Sequence, residues 1–203
     1  FHNSKATENM PFTYKNRNGD VYYLTNKLSK TGKPRYFFTK KIGGDLLVKV
    51  PDGYEVYENP NAQVFLRKKI KSMIKSDEID LCKNELLQIC NINSRALIVD
   101  YKQSEIIIYY SDQIAAIPNL PPNDNIYNND IEKLATILFG YATYLPFLKF
   151  KLLDEEKRLF IAERFCFLGG IDDWIEIGTV DSLINLVRIY GKHLGEESFY
   201  ELA

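Results

Sequence analysis

The chain has 203 residues, 45% of them hydrophobic and 26% charged, with a net charge of −1. That balance suits a folded globular protein long enough to bury a core without covalent staples, and it excludes a disordered or fibrous chain. No apolar run approaches the ~20 residues of a membrane-spanning helix, so no membrane partner is expected.

The three cysteines, Cys82, Cys90 and Cys166, are far apart, and none forms a C-x-x-C pair. They read as small buried hydrophobes in a reducing, cytoplasmic setting rather than as a disulfide framework or a zinc site. Fourteen Tyr and twelve Phe tilt the composition towards sheet.

The near-zero net charge hides a partition. Residues 1–75 carry fifteen Lys/Arg against six Asp/Glu, a balance of +9. Residues 76–203 carry eleven against twenty-one, a balance of −10. Such asymmetry points either to an anionic partner for the basic half or to docking of complementary halves.

In chain order, residues 1–9 read as a tag remnant, with Met10 as the native start. Residues 10–70 read as a basic aromatic β-meander. Asn18-Gly19 signals a hairpin before Val21. Val21–Lys27 and Arg35–Lys40 should pair across the loop Leu28–Pro34, with Tyr23, Thr25 and Lys27 on one face and Tyr22, Leu24 and Asn26 on the other. Leu46–Val50, Glu55–Glu58 and Val64–Arg67 are further short strands, separated by Gly43-Gly44-Asp45, Pro51-Asp52-Gly53 and Asn59-Pro60-Asn61. Pro51-x-Gly53-Tyr54-Glu55, with Asn59-Pro60-Asn61 and Val64-Phe65-Leu66, resembles the opening of a WW module. The second signature tryptophan and its following proline are missing, so no binding residue is carried across.

Residues 71–203 read as an acidic α+β domain. Ile70, Met73 and Ile74 suggest a first helical segment. Ser76 is then an N-cap, before an apolar stripe of Ile79, Cys82, Leu86, Ile89 and Cys90. Ala96–Tyr101 and Glu105–Tyr110 form a hairpin whose Ile106-Ile107-Ile108 run suggests burial on both faces. Residues 111–129 read as a long loop, and Asp130–Tyr144 as a helix ended by Pro146. Phe147–Leu153 and Arg158–Leu168 form a hairpin. Gly169-Gly170 then turns into Trp174–Gly178, a third antiparallel strand. Asp181 caps a helix closing at Gly191, and Glu196–Leu202 is a short final helix. Hairpins and helices without βαβ alternation make an α+β fold.

Chemistry is sparse. A phosphate loop fails because Lys27 and Pro34 occupy positions that would need Gly and Ser/Thr. Gly43-Gly44 and Gly169-Gly170 read as hairpin turns. His193 stands alone after a helix end, so no Ser-His-Asp set can be assembled, and no catalytic residue, metal or organic cofactor is assigned. Glu163, Asp172 and Asp173 could hold a divalent ion as a metal-dependent enzyme would, although they match no motif. Trp174 reads as a core anchor.

The expected function is a binding module rather than an enzyme. Its basic aromatic meander would engage nucleic acid or another polyanion through Lys27, Lys30, Lys33, Arg35, Lys40 and Lys41, with Tyr23 and Tyr36. The alternative is protein–protein interaction or self-assembly, such as a homodimer, in which the basic part meets an acidic protein surface.

Overall fold

The structure, a computed structural model, describes residues 10–90, 92–117, 137–167 and 172–202. The expectations for residues 1–9, for Gly169-Gly170, and for most of the 111–129 loop and the first half of the Asp130–Tyr144 helix lie outside these residues. The protein is α+β, built from three antiparallel sheets. It divides into two compact units, the first ending at Ile70 and the second beginning at Lys71.

In unit 1, β1 (Thr13–Lys15), β2 (Val21–Leu28) and β3 (Pro34–Thr39) form a meander, and β5 (Tyr54–Glu58) and β6 (Val64–Lys68) form a separate hairpin. The β1–β2 turn carries the Asn18-Gly19 pair, and the β2–β3 loop is residues 29–33. One face of the meander is its core: Leu24 is fully buried, and Tyr14 and Phe38 meet at 6.5 Å between ring centroids. The β5–β6 hairpin joins this side, where Tyr36 meets Tyr54 edge-on and Tyr14 donates to Glu58 Oε2 at 3.0 Å. The WW-like stretch therefore forms a two-stranded hairpin.

The link between β3 and β4 (Asp45–Leu46) departs from the sequence reading. Both β3 and β4 pair with β2, at Phe37↔Thr25 and Leu46↔Thr25, so they flank it on opposite edges. Residues 40–44 must cross β2. They pass over the Thr25 face: Thr25 is 4% exposed and its hydroxyl donates to the Asp45 carbonyl at 3.0 Å. Gly43-Gly44 is thus a strap lying on the sheet, not a hairpin turn. Gly44 has φ +77°, and a Cβ there would come within 3.6 Å of Thr25 Oγ1. The left-handed backbone is what favours glycine there, since 3.6 Å is an ordinary contact distance.

In unit 2, β7 (Leu97–Lys102), β8 (Glu105–Tyr110), β9 (Leu145–Asp154), β10 (Leu159–Phe167) and β11 (Asp172–Ser182) form one sheet in the order β11-β10-β9-β8-β7. Helices α1 (Ser76–Ile89) and α4 (Leu183–Gly191) cover one face; the short α2 (Asp112–Ala115) and a helical segment at residues 137–141 (α3) lie between β8 and β9 in sequence. The core contains Ile106, Ile108, Leu148, Phe150 and Ile177 from the sheet with Leu86, Leu186 and Val187 from the helices. At Gly191 the helices approach so closely that a Cβ would meet Leu86 Cδ2 at 2.7 Å. That glycine serves packing, beyond closing the helix as expected.

Five local expectations need correction. Asp181 lies within β11, and Ser182 is the N-cap of α4. Residues 70–75 are not helical; Met73 instead donates its N–H to the Gln103 carbonyl. Ser76 is the first helical residue and Lys75 the cap, whose N–H donates to Glu78 Oε2 at 2.9 Å. Ile107 is half-buried between two fully buried neighbours, so the isoleucine run is not dry on both faces. The strand expected over Leu46–Val50 is only the two residues of β4.

Candidate functional site

Besides Lys15, Lys49, Lys68 and Lys69, the described cations of unit 1 fall into two sets. Lys40 donates to Asp20 at 2.8 Å, which raises the pKa of its ammonium and lowers that of the carboxyl, the shared hydrogen bond being the main cause. Arg67 pairs with Glu55 at 2.7 Å and lies over the Tyr57 ring. Arg17 pairs with Glu58 at 3.7 Å.

The second set is the β2–β3 hairpin. Lys27 stands opposite Arg35 in the strand register, so the two cations share a face with Tyr23, Thr25, Phe37 and Thr39. Lys30 and Lys33 sit on the loop, which Ser29 tightens by accepting the Lys33 N–H at 3.0 Å and contacting the Thr31 hydroxyl. Lys41 follows on the strap. All five are exposed, and no carboxylate among the described residues lies within ion-pairing distance of any of them. Like charges directly opposite on neighbouring strands are destabilising.

An open groove of about 600 Å³ lies on this face, lined in part by Thr25, Lys27, Phe37, Lys41, Gly43 and Gly44. Lys27 Nζ is 6.0 Å from the centroid of the Phe37 ring. The structure brings together Lys27, Arg35, Lys41 and Tyr23 from the expected site residues. It places Lys30 and Lys33 at the adjoining tip. Tyr36 and Lys40 lie on the opposite face, Tyr36 against Tyr54 and Lys40 over Tyr22 at 5.4 Å. Phe37 and the glycine strap were missed. Alternation from Thr25 through its partner would have placed Phe37 on the cationic face, but nothing local marks a crossing connection.

The acidic candidates separate. Glu163 pairs in register with Glu176, whereas Asp172 and Asp173 pair with Phe167 and Cys166, about four residues or ~13 Å along the strand. The Glu163 carboxylate is instead taken by Lys149, with Lys151 at 4.0 Å. Lys149 also lies 3.7 Å from Glu105 and 4.5 Å from the centre of the Trp174 ring. Trp174 is half-buried, edge-on to Phe165, so it belongs to this charged sheet face and not to the helix-covered core. Among the described residues no group of three or more His, Cys, Asp or Glu could hold a metal ion. The Nδ1 of His193 lies 2.8 Å from the Ser198 hydroxyl, tying the turn after α4 to the final 3₁₀ helix. Burial pushes the Cys82 thiol up strongly and the Cys90 thiol up to about 11, while Cys166 is only half-buried.

No helix among the described residues is long and apolar enough to cross a membrane. No protein-family model, curated protein or solved structure matches the chain.

Proposed function

We propose that the protein is a non-enzymatic binding module that engages nucleic acid through the cationic face of the β2–β3 hairpin. The observation that carries this reading is the Lys27–Arg35 pair. Two cations face each other across neighbouring strands, and among the described residues no carboxylate ion-pairs with either, although Asp45 lines the groove beside Lys27; Lys30, Lys33 and Lys41 extend the same field without ion pairs. A polyanion relieves that repulsion, and phosphate contacts dominate nucleic-acid affinity. Free, buried or half-buried thiols suit a reducing, cytoplasmic setting.

The test is fluorescence anisotropy with labelled DNA and RNA from low to physiological salt. Each phosphate neutralised by a lysine adds about 0.7–0.9 to the slope of log affinity against log salt. Replacing Lys27, Lys30 and Lys33 together by Gln should therefore weaken binding and flatten that slope by about 2. An unchanged slope sinks the proposal.

A second reading is self-association, supported by the opposite charge of residues 1–75 and 76–203. Strand β11 carries four carboxylates, Asp172, Asp173, Glu176 and Asp181, and no cation. Sedimentation at low and high salt separates the two readings: a monomer at both removes this one.

A further inference from the structure

We infer that the groove under the strap is a subsite for a single unpaired nucleotide, with the phosphate held at the strap and the base stacked on Phe37. This rests on the proposed nucleic-acid reading and sharpens it to single-stranded chains. Residues 40–44 cross the sheet, and the N–H groups of Gly43 and Gly44 donate no hydrogen bond within the described residues. A Cβ at Gly43 would meet nothing within 4 Å, so the space beside it is open. Two successive backbone N–H groups without an acceptor of their own suit an anion, and glycines let it come close to the main chain. Lys41 precedes these amides, and Lys27 and Lys41 both line the groove against a single acidic residue, Asp45.

Phe37 supplies the second half of the subsite. Its ring lines the groove and lies next to Lys27. An aromatic ring flanked by cations is the usual platform for a base in sequence-tolerant single-strand binding, because every base has a face to stack. The groove volume of about 600 Å³ falls within the range of small-molecule sites and holds one nucleotide unit. A base inside a duplex is already stacked on both faces and paired at its edge, so it cannot reach Phe37 without being extruded. Phosphate attraction alone would not discriminate strands. The ring does.

The experiment compares a labelled oligothymidylate of about twelve nucleotides with a duplex of the same length, both at low salt. The intact chain should bind the single strand at least tenfold more tightly. Phe37→Leu should lose about tenfold in single-strand affinity, the effect of one stacked base, with its salt slope unchanged. Phe37→Tyr keeps the ring and should bind like the parent, and its thermal melt beside that of Phe37→Leu separates lost stacking from lost folding. Equal affinity for single strand and duplex overturns the subsite, as does Phe37→Leu binding like the parent, while the proposed function survives. Absence of binding to either nucleic acid overturns the proposed function and the subsite with it.

Discussion

Two pairs of adjacent strands, one in each unit of this protein, treat charge in opposite ways. Across β9 and β10, Lys149 stands opposite Glu163; the side chains are 9% and 7% exposed and ion-paired. Across β2 and β3, Lys27 stands opposite Arg35, both exposed and neither ion-paired to a carboxylate among the described residues. In the first pair each residue answers the other, so its identity follows from the stability of its own sheet. In the second the fold gains nothing from the match. Lysine at a sheet margin can serve to discourage strand-to-strand aggregation, but that does not call for a second cation directly opposite. A position that costs its own sheet stability is where a partner is to be sought.

The contrast can be broken first at the buried pair. Glu163→Ala leaves Lys149 buried with only the more distant Glu105 for compensation and should cost about 3–5 kcal/mol in denaturant unfolding. Replacing both partners, as in Lys149→Met with Glu163→Leu, should recover most of that loss, since a buried ion pair exchanged for apolar residues is often neutral. A double variant as unstable as the single one would mean that the pair supports more than itself.

A smaller effect should appear at alkaline pH, and it should fall on unit 2. Burial raises the thiol pKa of Cys82 and of Cys90, the latter to about 11, and raises the hydroxyl pKa values of Tyr109 and Tyr110. These groups stay protonated in the folded chain while the unfolded chain ionises. The unfolded state then binds fewer protons, so stability is full below about pH 8.5, the ordinary thiol value, and falls as pH rises towards 11. In unit 1 Tyr14 shifts in the same direction, through burial and then the Glu58 carboxylate. Thermal melts from pH 7 to pH 10.5, read by probes in each unit, should show unit 2 losing more. A loss confined to unit 1 would contradict this assignment of causes.

The smallest expected change sharpens the contrast. Lys27→Glu converts the like-charge pair with Arg35 into an opposite-charge one and should stabilise unit 1 by about half a kcal/mol. The same substitution should weaken nucleic-acid binding by more than loss of one cation alone, because it adds repulsion of phosphate. Stability and binding moving in opposite directions would mark Lys27 as a residue kept for its partner. If both fall together, its role is structural.

Much of the architecture could be read from the residues in order. The alternation of Tyr23, Thr25 and Lys27 against Tyr22, Leu24 and Asn26 is the observed division of faces. The β7–β8 and β9–β10 hairpins stand where their apolar runs placed them, and β11 covers the expected Trp174–Gly178 but extends over Asp172–Ser182. Within the candidate site, Lys27, Arg35 and Lys41 were visible as cations, yet Lys40 could not be told from Lys41. The two are adjacent, and only the Asp20 carboxylate and the Tyr22 ring assign Lys40 to the other face. Gly43-Gly44 carries the same composition in a strap as in a hairpin.

By itself, then, the sequence determined what is local: which segments extend, where they turn, which side chains share a face, and that the basic residues gather before residue 76. These follow from backbone sterics and side-chain alternation, which act over a few residues. The tertiary structure alone decided which strands become partners, that β4 returns to β2 by crossing over Thr25, that Glu163 is answered by Lys149, and that Lys27 and Arg35 are left unanswered. Those outcomes depend on pairing energies between segments far apart in the chain. A residue's neighbours in sequence carry no record of them.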